Sequence, residues 1–171
     1  MSEAITRANG RGLALAWGAV AGLHRGVLGG LLMVGWFLLV SSLLRQPTWT
    51  VPNLLATLLN QETILRRGFG WSSLVGVALT LFVTGLIGAA FGLVTGMVRS
   101  RRRLLLLGIL AGLATYWITN ALVFRKLGAV AWIYASPRTL LVAHLLFGVV
   151  LGSQSPQPRH ADRIEPETAP E

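Results

Sequence analysis

The stretch ALAWGAVAGLHRGVLGG, residues 14–30, sets Ala14, Gly18, Gly22, Gly26 and Gly30 at four-residue intervals, one small residue per helical turn on a single face. In a soluble helix each such glycine costs about 1 kcal/mol relative to alanine, whereas in lipid the missing side chains let two backbones approach closely. The stripe therefore predicts a membrane helix with a packing face. It keeps its phase across His24 and Arg25 and runs on through apolar sequence to Leu44. One continuous helix over 13–44 follows, with Arg25 reaching toward the headgroups from its cytoplasmic half.

The rest of the chain has the same character. Of its 171 residues 53% are hydrophobic and 12% charged, against about a quarter charged in soluble domains. Mean hydropathy is +0.63. The apolar residues gather into runs long enough to cross about 30 Å of hydrocarbon, so the chain reads as one membrane domain over 13–152. A net charge of +9 raises the question of nucleic acid, but the basic residues flank apolar runs rather than forming a patch with interleaved aromatics. Positive-inside topology explains them, and nucleic acid is excluded as a partner. The absence of cysteine removes disulfides, thiolate metal sites and thiol catalysis.

Arg45, Gln46 and Pro47 end the first span. Pro52 then opens a short helix with Thr50 as its candidate cap. Leu54, Leu55, Leu58, Leu59 and Leu65 fall on one side of it, and Asn53, Thr57 and Asn60 on the other. Flanked by Trp49 and Trp71, this segment predicts an amphipathic helix lying in the membrane interface. The second span covers 71–98 and carries Gly88, Gly92 and Gly96 at the same four-residue spacing. Arg99, Arg101, Arg102 and Arg103 make a turn so short that spans two and three are expected as antiparallel neighbours; the same arginines fix topology or bind anionic headgroups. The third span, 104–124, shows a small face of Gly108, Gly112, Thr115 and Thr119. The fourth, 136–152, starts with Ser136 as cap and Pro137 at the first helical position. Arg138 is then either an interfacial anchor or a buried charge awaiting an anion.

Residues 1–12 read as a mobile tail, and 153–171, with four of the seven prolines and four of the six acidic residues, as a disordered one. Nine basic residues fall near the amino end, the arginine turn and the carboxyl tail; six fall on the opposite side. Both termini are therefore expected in the cytoplasm, on a bacterial inner membrane. The architecture expected is all-α: an integral four-transmembrane-helix bundle with an interfacial helix between spans one and two.

Few residues carry chemistry. His144 lies in the fourth span with Gly148 and Gly152 one and two turns on. Such a face has room for a haem or chlorophyll-type macrocycle, with imidazole as axial ligand. The plainer reading is a histidine bonded to a threonine, asparagine or carbonyl of a neighbouring helix. His24 is the other histidine in a helical run. Tyr116, Thr119, Asn120 and His144 together suggest a polar path for a small solute, or interhelical hydrogen bonding. No carboxylate falls inside a span, there is no G-x-S-x-G, H-E-x-x-H or phosphate-binding glycine loop, and no enzyme or cofactor is assigned.

The run HLLFGVVLG, residues 144–152, with a glycine-rich first span, a proline-flanked amphipathic loop and a second glycine-rich span, resembles uncharacterised small bacterial membrane proteins of four helices. Such proteins often carry a further histidine early in the second span; Trp71 to Thr84 contains none. The resemblance implies topology and no activity. The function expected is that of a structural or accessory subunit packing through Gly18, Gly22, Gly26, Gly88, Gly92, Gly96, Gly108 and Gly112. Its partners are the lipid bilayer and either a second copy or a larger membrane complex, served by the cytoplasmic end of the first stripe. The alternatives are a small-solute channel or carrier, and a haem or pigment subunit.

Overall fold

A computed structural model describes residues 2–59, 68–96, 98, 100–127 and 135–154. Among these residues there are five helices: α1 (Ser2–Leu43), α2 (Thr50–Ala56), α3 (Trp71–Thr95), α4 (Arg101–Thr119) and α5 (Pro137–Gly152). α4 runs on through a π-helical segment, Asn120–Phe124, and one more turn, Arg125–Leu127. Three stretches are long and apolar enough to cross a membrane: Leu15–Leu43, Trp71–Thr95 and Arg101–Val123. α5, with 16 residues, rises about 24 Å and is shorter than the roughly 30 Å hydrocarbon layer.

α1 is continuous through His24 and Arg25, as the phase of its stripe predicts. It begins at Ser2, ahead of the expected start near Leu13. At its other end Gln46 donates its backbone N–H to the Ser41 carbonyl (2.9 Å) and Arg45 to that of Ser42 (3.1 Å). This is a Schellman cap, with Arg45 at the left-handed position (φ 53°) that glycine ordinarily takes. Pro47 prevents the helix from resuming.

Two antiparallel pairs form the body. α1 lies on α3 with Gly22 between Gly88 and Gly92, and Gly26 against Thr84 and Gly88. A methyl on Gly22 would stand 2.9 Å from Gly92 Cα, and one on Gly26 would stand 3.0 Å from Gly88 Cα. Only glycine permits this backbone contact. α4 pairs with α5 in the same manner, Gly108 fitting between Gly148 and Gly152, and Gly112 against the His144 carbonyl and Gly148. Gly96 is different from the other expected packing glycines: it caps α3 and is exposed.

α1 also joins the two pairs. Gly29 faces the fully buried Phe147 ring, Trp36 Nε1 donates to the Thr139 carbonyl (3.1 Å), and Arg25 donates to Ser153 Oγ (3.1 Å). Arg25 thus sits at the C-terminus of α5, where a cation complements the helix dipole, rather than only reaching for headgroups. Met33, Phe37, Val51, Leu140, Ala143, Phe147 and Leu151 form the core between the pairs.

The expectation that spans two and three are close neighbours is corrected. α3 and α4 run antiparallel but barely touch. The small face of α3 is taken by α1 and that of α4 by α5, and the residues that α3 and α4 turn toward each other, such as Val83, Ile87 and Val123, line a space between them. A short turn fixes direction, and shape decides contact.

α2 is the short helix expected between spans one and two, and it is buried on both sides: Asn53 is only 2% exposed and Leu54 6%, while Leu58 and Leu59 beyond the helix are exposed. Ser73 Oγ donates to Asn53 Oδ1 (2.7 Å) and accepts from the Gly70 N–H (3.2 Å), and Asn53 Nδ2 donates to the Gly68 carbonyl (3.1 Å). Gly76 receives the Pro52 carbonyl. Thr50 is the first residue of α2 rather than its cap, and its hydroxyl donates to the Pro47 carbonyl (2.8 Å). Asn60 and Leu65 lie outside the described residues, as do residues 128–134, Arg99 and 155–171.

Ser136 and Pro137 behave as the sequence predicts. Ser136 Oγ accepts from the Thr139 N–H (3.3 Å), and Pro137 occupies the first position of α5. Arg138 is exposed there, in keeping with an anchor rather than a buried charge.

Candidate functional site

Because α3 and α4 diverge, a cavity of about 290 Å³ remains between them. α3 supplies Leu79, Val83 and Ile87 to one wall, and α4 with its extension supplies Thr115, Thr119 and Val123 to the other. Met33 and Phe37 of α1 and Leu140 and His144 of α5 form the back; leucines of the α2 segment cover one end. Among the described residues the lining is apolar apart from four threonines and one histidine.

His144 is 2% exposed at the back of this cavity. Its position follows from the glycines of α5. Gly148 and Gly152 let α4 close onto the helix, and this brings Thr119, two turns beyond Gly112, opposite the imidazole. Nδ1 lies 2.8 Å from the Leu140 carbonyl oxygen. A carbonyl only accepts, so Nδ1 carries the proton, and in the neutral ring Nε2 is an acceptor. Thr119 Oγ1, 3.2 Å from Nε2, is therefore its donor. The Tyr116 ring packs edge-on against the imidazole with centroids 5.9 Å apart.

The expected polar residues are thus only partly gathered. Thr119 and His144 bond to each other and line the cavity; Tyr116 packs beside them. Asn120 opens the π-helical segment and its side chain bonds to no other described residue. The space beside Gly148 and Gly152 that a macrocycle would need is filled by the backbone of α4 around Gly108 and Gly112. His24 is exposed on α1, near the end where Arg25 meets Ser153, and does not approach His144. Arg101, Arg102 and Arg103 are exposed at the start of α4, which Ser100 caps through the Arg103 N–H (3.5 Å).

Sequence reasoning missed the α3 wall of the cavity and the partner of Nδ1. The signal for the first was Thr80 and Thr84, spaced one turn apart like Thr115 and Thr119. The second is a backbone group four residues back on the same helix, which no search among side chains finds. Among the described residues no group of three or more metal-ligating side chains occurs. No protein-family model matches this sequence, and no curated protein or solved structure is significantly similar to it.

Proposed function

We propose that the chain is a non-enzymatic multi-pass protein of a bacterial inner membrane, structural or accessory in type, with α5 embedded as a fourth span and both ends cytoplasmic. The observation that carries this reading is the closure of both glycine-packed pairs inside one chain, which makes a rigid insert whose outer surface is lipid-compatible. Trp17, Leu31, Phe82, Leu86, Val94, Leu106 and Trp117 all point outward. The stripe itself is no longer the surface offered to a partner, because α3 covers it from Gly18 to Gly30. A partner subunit binds instead on this outer apolar surface or on the exposed arginines at the head of α4.

A solute carrier is less well supported. Thr80, Thr84 and Thr115 in the cavity each donate their hydroxyl to the carbonyl four residues earlier on their own helix, which leaves mainly methyl groups and hydrocarbon for a route. Purification of the intact protein from its native membrane in mild detergent tests the accessory role. Co-elution with a second protein in a complex of defined mass is expected; a lone 18.4 kDa chain with its detergent would overturn it. Orientation is tested with single cysteines at two exposed serines. With a membrane-impermeant maleimide, Ser136→Cys is expected to react in intact cells and Ser100→Cys only after lysis.

A further inference from the structure

The cavity between α3 and α4 ends on a single polar pair, and the hydrogen bonds around that pair specify what it can receive. The hydroxyls of Thr80, Thr84 and Thr115 are donated to backbone carbonyls at 2.7–2.8 Å. The Thr119 hydroxyl is donated to His144 Nε2, and the Nδ1 proton to the Leu140 carbonyl. Every N–H and O–H proton on the described lining side chains is thus already engaged. What faces the cavity is lone pairs, chiefly on Thr119 Oγ1. Among the described lining residues a ligand carrying only carbonyl or ether oxygens would find no donor, and an anion no cation.

Thr119 is also the exception among its neighbours, since Thr80, Thr84, Thr95 and Thr115 all bond to the carbonyl four residues back. The same option, the Thr115 carbonyl, is open to Thr119 by a χ1 rotation. Taking it frees Nε2 to accept from a ligand directly. In either arrangement the ligand supplies the proton. The π-helical segment starts at the next residue, Asn120, and places Val123 in the cavity wall; single π turns inside α-helices are frequent at functional sites. Size gives a second constraint. A dry apolar cavity of about 150 Å³ holds one benzene, so about 290 Å³ suits a body roughly twice as large.

We infer that this cavity binds a neutral, membrane-soluble alcohol or phenol, its apolar body lying between α3 and α4 and its hydroxyl donating to the Thr119–His144 pair. The inference rests on the cavity alone and holds whether or not the chain has a protein partner. Its test uses the full chain in phosphatidylcholine vesicles with an alkylphenol bearing a photoreactive diazirine on its chain, and maps the labelled residues by mass spectrometry. Labelling is expected at Leu79, Val83, Ile87 and Val123. At equal membrane concentration 4-hexylphenol should compete about 3- to 10-fold better than hexylbenzene, the ratio one neutral hydrogen bond provides. Thr119→Val alone should keep the ratio above 1, because Nε2 then accepts from the ligand; Thr119→Val with His144→Phe should bring it to about 1 with labelling retained, Thr119→Ser should preserve it, and Val83→Trp should remove labelling by filling the space. Equal competition by the two compounds on the native chain would make the cavity a slot for lipid acyl chains and overturn the inference. Labelling spread over the outward Phe82, Leu86 and Val94 would overturn it as well.

Discussion

Replacing Gly88 by alanine adds one methyl in the middle of the close α1–α3 contact. That methyl would stand 2.7 Å from Gly26 Cα and 2.9 Å from Gly26 N, and would also run into the Gly22 carbonyl oxygen. Carbon atoms rest at about 3.5–4.0 Å, so the helices must part by roughly 1 Å. Both obstructing groups are backbone, and no rotamer change relieves them. Overpacking of this kind costs about 1–3 kcal/mol, and a gap of about 1 Å forfeits up to half of each dispersion contact along the rest of the stripe. Gly35→Ala is the control, because Gly35 lies on α1 with nothing within 4 Å of the added methyl. There the intrinsic preference of helices for alanine is uncompensated and is worth up to about 1 kcal/mol of stabilisation. The two variants should differ by about 1–4 kcal/mol when unfolding of the purified chain is followed by circular dichroism as dodecyl sulfate is titrated into mild-detergent micelles. Equal midpoints for Gly88→Ala and Gly35→Ala would refute the close approach of the two backbones.

Gly29→Ala drives a methyl to within 2.7 Å of the Phe147 ring, a side chain that can turn. It should cost less than Gly88→Ala in the same titration, and Phe147→Leu should recover most of the loss in the double variant. Asn53→Ala removes a buried link between α2 and α3 and should destabilise by about 1–3 kcal/mol, with faster amide exchange across 50–56. Ser72→Ala, by contrast, removes a buried hydroxyl that bonds to no described group and should be neutral or stabilising. Arg45→Gly relieves a left-handed residue at the end of α1 and should raise stability by about 0.5–1 kcal/mol in the same assay.

What was legible in the sequence is what local spacing encodes. The stripe through Gly18, Gly22 and Gly26 named a packing face, and its unbroken phase named one helix across Arg25. Ser136 and Pro137 named the start of α5, because a cap is decided within one turn. The mates of those faces were not legible. Four helices carry small residues, and nothing in their spacing says that α1 selects α3 while α4 selects α5; the tight arginine turn argued for a different pair. The burial of Asn53 was hidden for a related reason. Its partners Ser73 and Gly68 lie 20 and 15 residues on, and leucine periodicity locates an apolar face without saying what the polar side meets. The cavity follows from both points, since it exists only because α3 and α4 are each occupied elsewhere.

The stripe of α1 is closed against α3 of the same chain, and the absence of native cysteine allows a direct check. A Cβ on Gly85 would stand 3.3 Å from Val27 Cγ2, itself one bond of about 1.5 Å from its own Cβ. The two Cβ positions therefore lie within about 5 Å, near the 3.5–4.5 Å a disulfide spans. With Val27→Cys and Gly85→Cys in one chain, mild oxidation in native membranes should give a disulfide within the monomer in nearly every molecule. Failure to form it, or its appearance only as a covalent dimer when the two substitutions are carried on separate co-expressed chains, would contradict the account.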